Sequence, residues 1–244
     1  MPRHYLLGPT LLSLAALVIG SPLTGKDKDD KVVRPFNGKD LTGWAFKGDK
    51  TKSKWVVGIA TLDKKDPSKL AVQAVDAKIP ASKRQLIDAS SSVDLYTEQK
   101  FGDCTIEAEF MIPKGSNSGV YVMGEYEIQI LDSFGKEKVG PGDMGGLYGA
   151  AAPKVNACKK PGEWQKFVIE FQAPRFKEGK KISKAKFIKV TLNDKVIHEN
   201  VEMNSQTPGG LTGKEVPMGP LMFQGNHGAV AFRNIKIIPM GRSK

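Results

Sequence analysis

The segment richest in chemical possibilities is Tyr126-Glu127-Ile128-Gln129-Ile130-Leu131-Asp132. Read as an extended strand, its two-residue period puts Glu127 and Gln129 on one face and Tyr126, Ile128 and Ile130 on the other. The apolar set has to be buried. A proton carrier and an amide that can bind oxygen are then left side by side on the opposite face. Solvent-facing strands carry Glu and Gln routinely, and on pattern alone that plain surface is the commoner origin. A second polar cluster lies near the C-terminus, where Gln224-Gly225-Asn226-His227-Gly228 is followed by Phe232-Arg233-Asn234-Ile235. His227 is one of three His in the chain. Its imidazole suits proton transfer near neutral pH, or equally a turn in which the ring bonds its own backbone. Arg233 either binds an oxyanion or pairs with Glu109, and structural Arg–Glu pairs are the commoner finding.

Other chemistries find little support. The chain has no Cys/His metal spacing, no nucleotide-binding glycine motif and no serine nucleophile elbow. No metal and no cofactor is therefore expected, with a calcium site built from Asp and backbone carbonyls left open. Gln129 stands where a strand carrying two catalytic carboxylates would place the second, which argues against ordinary two-carboxylate glycoside hydrolysis.

These side chains need a scaffold of strands to hold them. From residue 36 onward the chain reads as short strands punctuated by Gly, Pro, Asn and Asp. No long segment keeps a helical hydrophobic period. Strands are expected at 55–62, 70–75, 104–112, 119–123, 126–131, 164–171, 187–192, 196–200, 219–223 and 229–238. Tight hairpins are expected at Gly124-Glu125 and at Asn193-Asp194-Lys195. Many short strands at this spacing predict a sandwich or jelly roll. Two long loops, 133–162 and 202–220, interrupt the pattern. The first carries Gly145-Gly146-Leu147-Tyr148-Gly149, where Tyr148 sits among glycines that let backbone approach a ligand, so a functional loop is expected there. Residues 63–100 are the least readable part.

The chain has 244 residues, 40% hydrophobic and 26% charged, an ordinary globular balance. A formal net charge of +11 raises the question of nucleic acid. The lysines are spread along the chain, however, and form no stacking platform with aromatics, so nucleic acid is not expected as a partner. At the N-terminus, Arg3 and His4 precede an apolar run from Leu6 to Gly20, broken by Gly8 and Pro9. This predicts a signal peptide over 1–20, export to the periplasm or the extracellular space, and no stable membrane insertion after cleavage. A charged, flexible leader is expected over 21–34 and a single domain over 35–240. The two cysteines, Cys104 and Cys158, either form one disulfide or stay free.

Three motifs in order carry a family resemblance. Phe36-Asn37-Gly38-Lys39-Asp40-Leu41-Thr42-Gly43-Trp44 is similar to the opening motif of the 3-keto-disaccharide hydrolase domain family. Asn117-Ser118-Gly119-Val120-Tyr121 with Tyr126 to Ser133 resembles its central motif. Gly219 to Gly228 with Phe232-Arg233-Asn234-Ile235 resembles its closing motif. Residues 63–100 depart from the family pattern and read as an insertion. Asn226 stands where an acidic residue often precedes the His-Gly pair.

The resemblance implies an all-β, concanavalin A-like jelly-roll sandwich of two antiparallel sheets, acting on a carbohydrate partner. It implies cleavage of 3-keto-glycosides by removal of the C2 proton, elimination at C1 and hydration. On that reading Glu127 and His227 are the catalytic acid and base. Gln129 and Arg233 bind the keto and hydroxyl oxygens, and Asp132, Asn117, Tyr148 and Gln224 complete the substrate site. A non-catalytic carbohydrate-binding module is the rival expectation, since one fold hosts both. A basic domain that holds acidic polysaccharide is a third.

Overall fold

A computed structural model describes Met1 and residues 32–241. Apart from Met1 and residues 32–34, the expected signal peptide and charged leader lie outside the described residues. Strands β1 (Trp44–Lys47), β2 (Trp55–Leu62) and β3 (Leu70–Ala74) are followed by β4 (Gln85–Asp88), β5 (Asp94–Phe101), β6 (Cys104–Met111), β7 (Asn117–Val122) and β8 (Tyr126–Leu131). After a long loop come β9 (Gln165–Gln172), β10 (Arg175–Lys177), β11 (Lys180–Ser183), β12 (Ala185–Leu192), β13 (Lys195–Met203), β14 (Gly219–Phe223) and β15 (Val230–Pro239). The helical content of the described residues is two short 3-10 turns, Lys50–Lys52 and Ala81–Lys83.

The strands form a five-stranded antiparallel sheet, β1-β5-β14-β7-β8, and an eight-stranded one, β13-β12-β9-β6-β15-β4-β2-β3, with β10-β11 as a separate hairpin. The two large sheets share one core, as expected for an all-β jelly-roll sandwich. Alternation supplies that core. Tyr126, Ile128 and Ile130 of β8 are fully buried, as are Phe167, Ile169 and Phe171 of β9. Aromatic rings bridge the sheets: Tyr126 meets Phe171 at 5.5 Å, and Phe223 of β14 stacks on Phe232 of β15 at 3.8 Å.

Residues 63–100 are built into the sandwich. They supply β3, β4 and β5, and β5 pairs with both β1 and β14 near the middle of its sheet. All four residues of β4 are buried, Leu86 in the main core and Ile87 in a second apolar cluster. A strand covered on both faces loses the alternation by which strands are read. The domain also begins earlier than expected, because Val33 exchanges two 2.8 Å backbone hydrogen bonds with Ile237. Both cysteines are free. Burial, reinforced by the charge of Asp103, pushes the Cys104 thiol up to about 12. Among the described residues no helix is long and apolar enough to cross a membrane.

Candidate active site

The outer face of the five-stranded sheet is built by the residues that alternate with the core set. On β7 these are Asn117, Gly119 and Tyr121, and on β8 Glu127 and Gln129. The register places Tyr121 opposite Glu127 and Gly119 opposite Gln129. Met222 of β14 pairs with Tyr121, and the backbone N–H of Gln224 donates to Gly119 O at 3.0 Å. Gly119 is needed here because the Glu127 side chain lies over it. A Cβ at that position would stand 2.3 Å from Glu127 Oε1.

Loops then convert this face into a cavity. The Gly145–Tyr148 backbone lies along the free edge of β8: Gln129 N donates to Gly146 O, Gly145 N to Gln129 O and Tyr148 N to Glu127 O. That contact closes an edge strand and brings the Tyr148 ring to the rim. From the opposite side, Pro208 and Gly209 are held by Tyr121 and Lys47. The Tyr121 hydroxyl donates to Pro208 O at 3.3 Å and accepts from Gln224 Nε2 at 3.3 Å. Lys47 Nζ donates to Gly209 O at 2.6 Å and pairs with Asp94 at 3.4 Å. Asp94 in turn accepts the Gly225 N–H at 3.0 Å, which anchors the start of the His227 turn.

The result is a cavity of about 200 Å³. Six of the eight expected site residues line it: Asn117, Glu127, Gln129, Tyr148, Gln224 and His227. Gln129 Nε2 donates to Asn117 Oδ1 at 3.0 Å. His227 sits on an exposed turn, its Nδ1 against the side chain of Asn226. The buried oxygens Glu127 Oε1 and Gln224 Oε1 have no hydrogen-bond partner in the fold. Burial raises the Glu127 carboxyl to about 7, with nearby Asp94 pushing the same way and the Tyr121 hydroxyl and Lys47 opposing. A buried acceptor without a partner is costly, and the residues that carry these two both line the cavity.

Two expected site residues lie elsewhere. Arg233 is on β15, where Phe232 faces the core, so alternation turns Arg233 to the outer side of the eight-stranded sheet. There its Nε donates to Glu109 at 2.7 Å and its guanidinium lies 3.9 Å from the Trp164 ring centroid. Asp132 follows β8 and accepts the backbone N–H groups of Gly115 at 2.8 Å and Phe134 at 3.4 Å, so it shapes a turn and does not line the cavity.

The sequence reading also missed residues. Tyr121 lines the cavity, and the two-residue period of β7, continued from Asn117, would have found it. Pro208 and Gly209 come from an irregular loop and carry no periodic signal. Lys47 lies on a four-residue strand too short to read. Among the described residues no three His, Cys, Asp or Glu side chains gather as metal ligands.

Comparison with known proteins follows the same lines. Among solved structures the chain is similar to a provisionally assigned glycosyl hydrolase from Parabacteroides distasonis ATCC 8503. The two are 25% identical with a TM-score of 0.64, covering 86% of this chain and 84% of that one. A second provisionally assigned glycosyl hydrolase of the same organism, 20% identical with a TM-score of 0.58 over 90% and 98% of the chains, shares the fold. No curated protein matches. A family profile matches residues 31–238, most of the sequence and all three motifs, and on that match the chain belongs to the family of the 3-keto-alpha-glucoside-1,2-lyase-like domain.

Proposed function

We propose that the domain cleaves 3-keto-glycosides by elimination across C1–C2 followed by hydration, with Glu127 as the base. Family membership supports a glycoside as the substrate. The observation that carries the mechanism is Glu127 lining the cavity, buried, with an unpartnered Oε1 and a carboxyl raised to about 7. A general base works best when its pKa lies near the working pH. Glu127 is also the single carboxylate among the described residues lining this cavity, which disfavours hydrolysis by a carboxylate pair.

The ketone at C3 acidifies the C2–H bond. Glu127 takes that proton, and the electron pair forms an enolate with its charge on the C3 oxygen. The enolate collapses, re-forming C3=O and a C1=C2 double bond as the C1–O bond breaks. The leaving oxygen gains a proton. Water then adds its hydroxyl to C1, and C2 regains a proton, so the sum is hydrolysis with no redox change. With C2 at Glu127, the polar groups of Gln129, Asn117 and His227 on the same cavity are within the set that can meet the C3 oxygen. These groups can donate to the enolate oxygen, as transition-state charge requires.

Incubation of the purified domain with 3-keto and plain disaccharides, followed by NMR, tests this. The expected result is release of free sugar from the 3-keto substrate alone. Equal cleavage of the plain disaccharide removes the elimination mechanism, and binding without turnover leaves a carbohydrate-binding module. Export is a separate proposal resting on the apolar run Leu6–Gly20. N-terminal sequencing of secreted protein should find a chain beginning near Ser21, and an intact Met1 would replace the signal peptide with an anchor.

A further inference from the structure

The β10–β11 hairpin pairs with neither large sheet. Its base is fixed to the body of the domain, because Arg175 Nη1 donates to Asp103 Oδ1 at 2.8 Å and Lys181 pairs with Glu215. Its tip is a tight two-residue turn, with φ of +51° at Glu178 and +76° at Gly179. The side chains it carries are therefore presented on a fixed frame. From Arg175 to Lys189 the sequence holds seven Lys or Arg and a single Glu.

These charges are arranged differently on the hairpin and on the strands that follow it. On β12, Lys186 stands opposite Glu202 of β13 and Lys189 opposite Glu199. Cross-strand pairs of opposite charge are stabilising. On the hairpin, Lys177 stands opposite Lys180. Like charges directly opposite are destabilising, so this pair works against the fold. Among the described residues neither ammonium forms an ion pair, and both residues are exposed. Lys184, also exposed, donates to the neutral amide of Asn204 at 2.9 Å and keeps its charge uncompensated.

Exposed aliphatic side chains stand around the same hairpin. The register shifts between Arg175 and Phe176, which leaves Ile182 without a cross-strand partner and 65% exposed. Glu215, the partner of Lys181, is followed by Val216 and Met218, which are 39% and 45% exposed. Met218 and Phe176 line one cavity of about 250 Å³ beside Arg175. An acidic polysaccharide or a nucleic acid would neutralise the lysines but leave Ile182, Val216 and Met218 in water. The interface of an anionic bilayer takes both, the charges at the headgroups and the aliphatic groups just beneath them.

We infer that the β10–β11 hairpin docks the domain on an anionic lipid bilayer, with Lys177, Lys180 and Lys184 on the headgroups and Ile182, Val216 and Met218 at the acyl boundary. The protein then lies on the membrane surface and does not span it. This docking is independent of the reaction proposed for the Glu127 cavity, and its test involves no turnover.

Each protein is purified as its host processes it and sedimented with vesicles of phosphatidylcholine alone or mixed equally with phosphatidylglycerol. For wild type the Kd should be about tenfold or more tighter on the anionic vesicles, and the difference should close as salt rises. Lys177→Gln with Lys180→Gln should weaken anionic-vesicle binding by about twentyfold, since one lysine near such a surface is worth about fivefold. This variant removes a repulsive pair, so it should fold at least as well as wild type. Ile182→Ser should weaken the same binding by about fivefold. The reference is Lys64→Gln with Lys65→Gln, between β2 and β3 at the far edge of the eight-stranded sheet, which should stay within about twofold of wild type. An apolar N-terminal run that added affinity would add it to every variant alike. Equal losses in the two lysine pairs would reduce the attraction to net charge and overturn the inference. So would a wild type that binds anionic and neutral vesicles alike, or one that binds polygalacturonate but not vesicles.

Discussion

Two strands, β6 and β8, carry glutamates in the same alternating pattern, yet their fates differ. Glu107 and Glu109 of β6 alternate with Ile106, Ala108 and Phe110, much as Glu127 alternates with Tyr126 and Ile128. On the outer face of the eight-stranded sheet Glu107 pairs with Lys166 at 2.8 Å, and Glu109 binds Arg233 and Asn234. Lys166 pulls the Glu107 carboxyl below its ordinary range. Burial of Glu109 pushes upward, but hydrogen bonds from Asn234 and Arg233 outweigh it. Glu127 is 2% exposed, one oxygen has no partner, and its carboxyl rises to about 7. Alternation settles which face a glutamate takes. The loops that cover the face, and the partners they withhold, decide how deeply it is buried and which way its carboxyl shifts.

The sharpest way to break this contrast is to neutralise both glutamates in turn. Glu127→Gln should lower kcat/KM on a 3-keto disaccharide by about 10²–10⁴-fold, the range for removing a general base, while Glu109→Gln should stay within about twofold of wild type. His227→Ala should also lose turnover, and the double variant should lose far less than the product of the two, because groups serving one step are not additive. Product formation followed by NMR reads all four. Full activity in folded Glu127→Gln and His227→Ala would sink the site assignment and leave the family untouched.

The second effect is on pH. A base must be ionised, so kcat/KM should rise with pH and level off above about 7, where the Glu127 carboxyl titrates. The Lys47 charge favours the carboxylate and lowers that value. Lys47→Met should therefore move the acid limb to higher pH. Activity measured below the limb should then fall roughly tenfold for every pH unit the limb moves. Lys47 acts here as a positioning residue that also holds Gly209. An unmoved limb with a uniformly lower rate would reduce its part to holding the loop.

Much of this was legible before any fold was known, and what was not has physical causes. Strands β2, β8 and β14 begin and end as expected, because turn residues such as Asp63, Gly124, Asp132 and Gly225 stand next to their ends in the sequence. The polar face of β8 was legible from its two-residue period. The depth of the site was not, because the Gly145–Tyr148 and Pro208–Gly209 segments reach it through backbone contacts that leave no side-chain pattern. Strand β4 was hidden by burial on both faces. Arg233 was misplaced because resemblance puts it near His227 in sequence, whereas the chain switches sheets between β14 and β15.

A smaller effect concerns stability. Asp88 of β4 is fully buried beneath the turn that carries His227, and its Oδ2 has no partner. Burial raises its carboxyl to about 7, against hydrogen bonds from Ser90 and Ser92 and the charge of Lys54. The folded value lies above the unfolded one, so the folded state holds a proton the unfolded chain has already released. Its contribution is fully present below about pH 4 and is lost as pH rises through about 7. Asp88→Asn should remove this dependence, gaining about 1–3 kcal/mol relative to wild type between about pH 5 and 8. Urea unfolding at the two pH values measures it, and parallel behaviour of the two proteins would show that Asp88 is already ionised in the fold.

The smallest effect tests the other side of the comparison. Arg233 was expected to bind substrate and instead pairs with Glu109 at 2.7 Å and covers Trp164. Both charged side chains keep access to water, with 34% and 23% of their surfaces exposed, so solvent screens their attraction. Such a pair contributes about 0.2–1 kcal/mol, and an exposed cation over an aromatic ring about 0.5–1 kcal/mol. Arg233→Ala should therefore cost about 1 kcal/mol in thermal or urea unfolding, and a double-mutant cycle with Glu109→Gln should recover a coupling below that. Raising the salt concentration should shrink the coupling. Turnover on the 3-keto disaccharide should not change, because Arg233 faces away from the Glu127 cavity. If Arg233→Ala instead lowered kcat/KM by tenfold or more at unchanged stability, the functional face would be the eight-stranded sheet, and the contrast between β6 and β8 would have to be reversed.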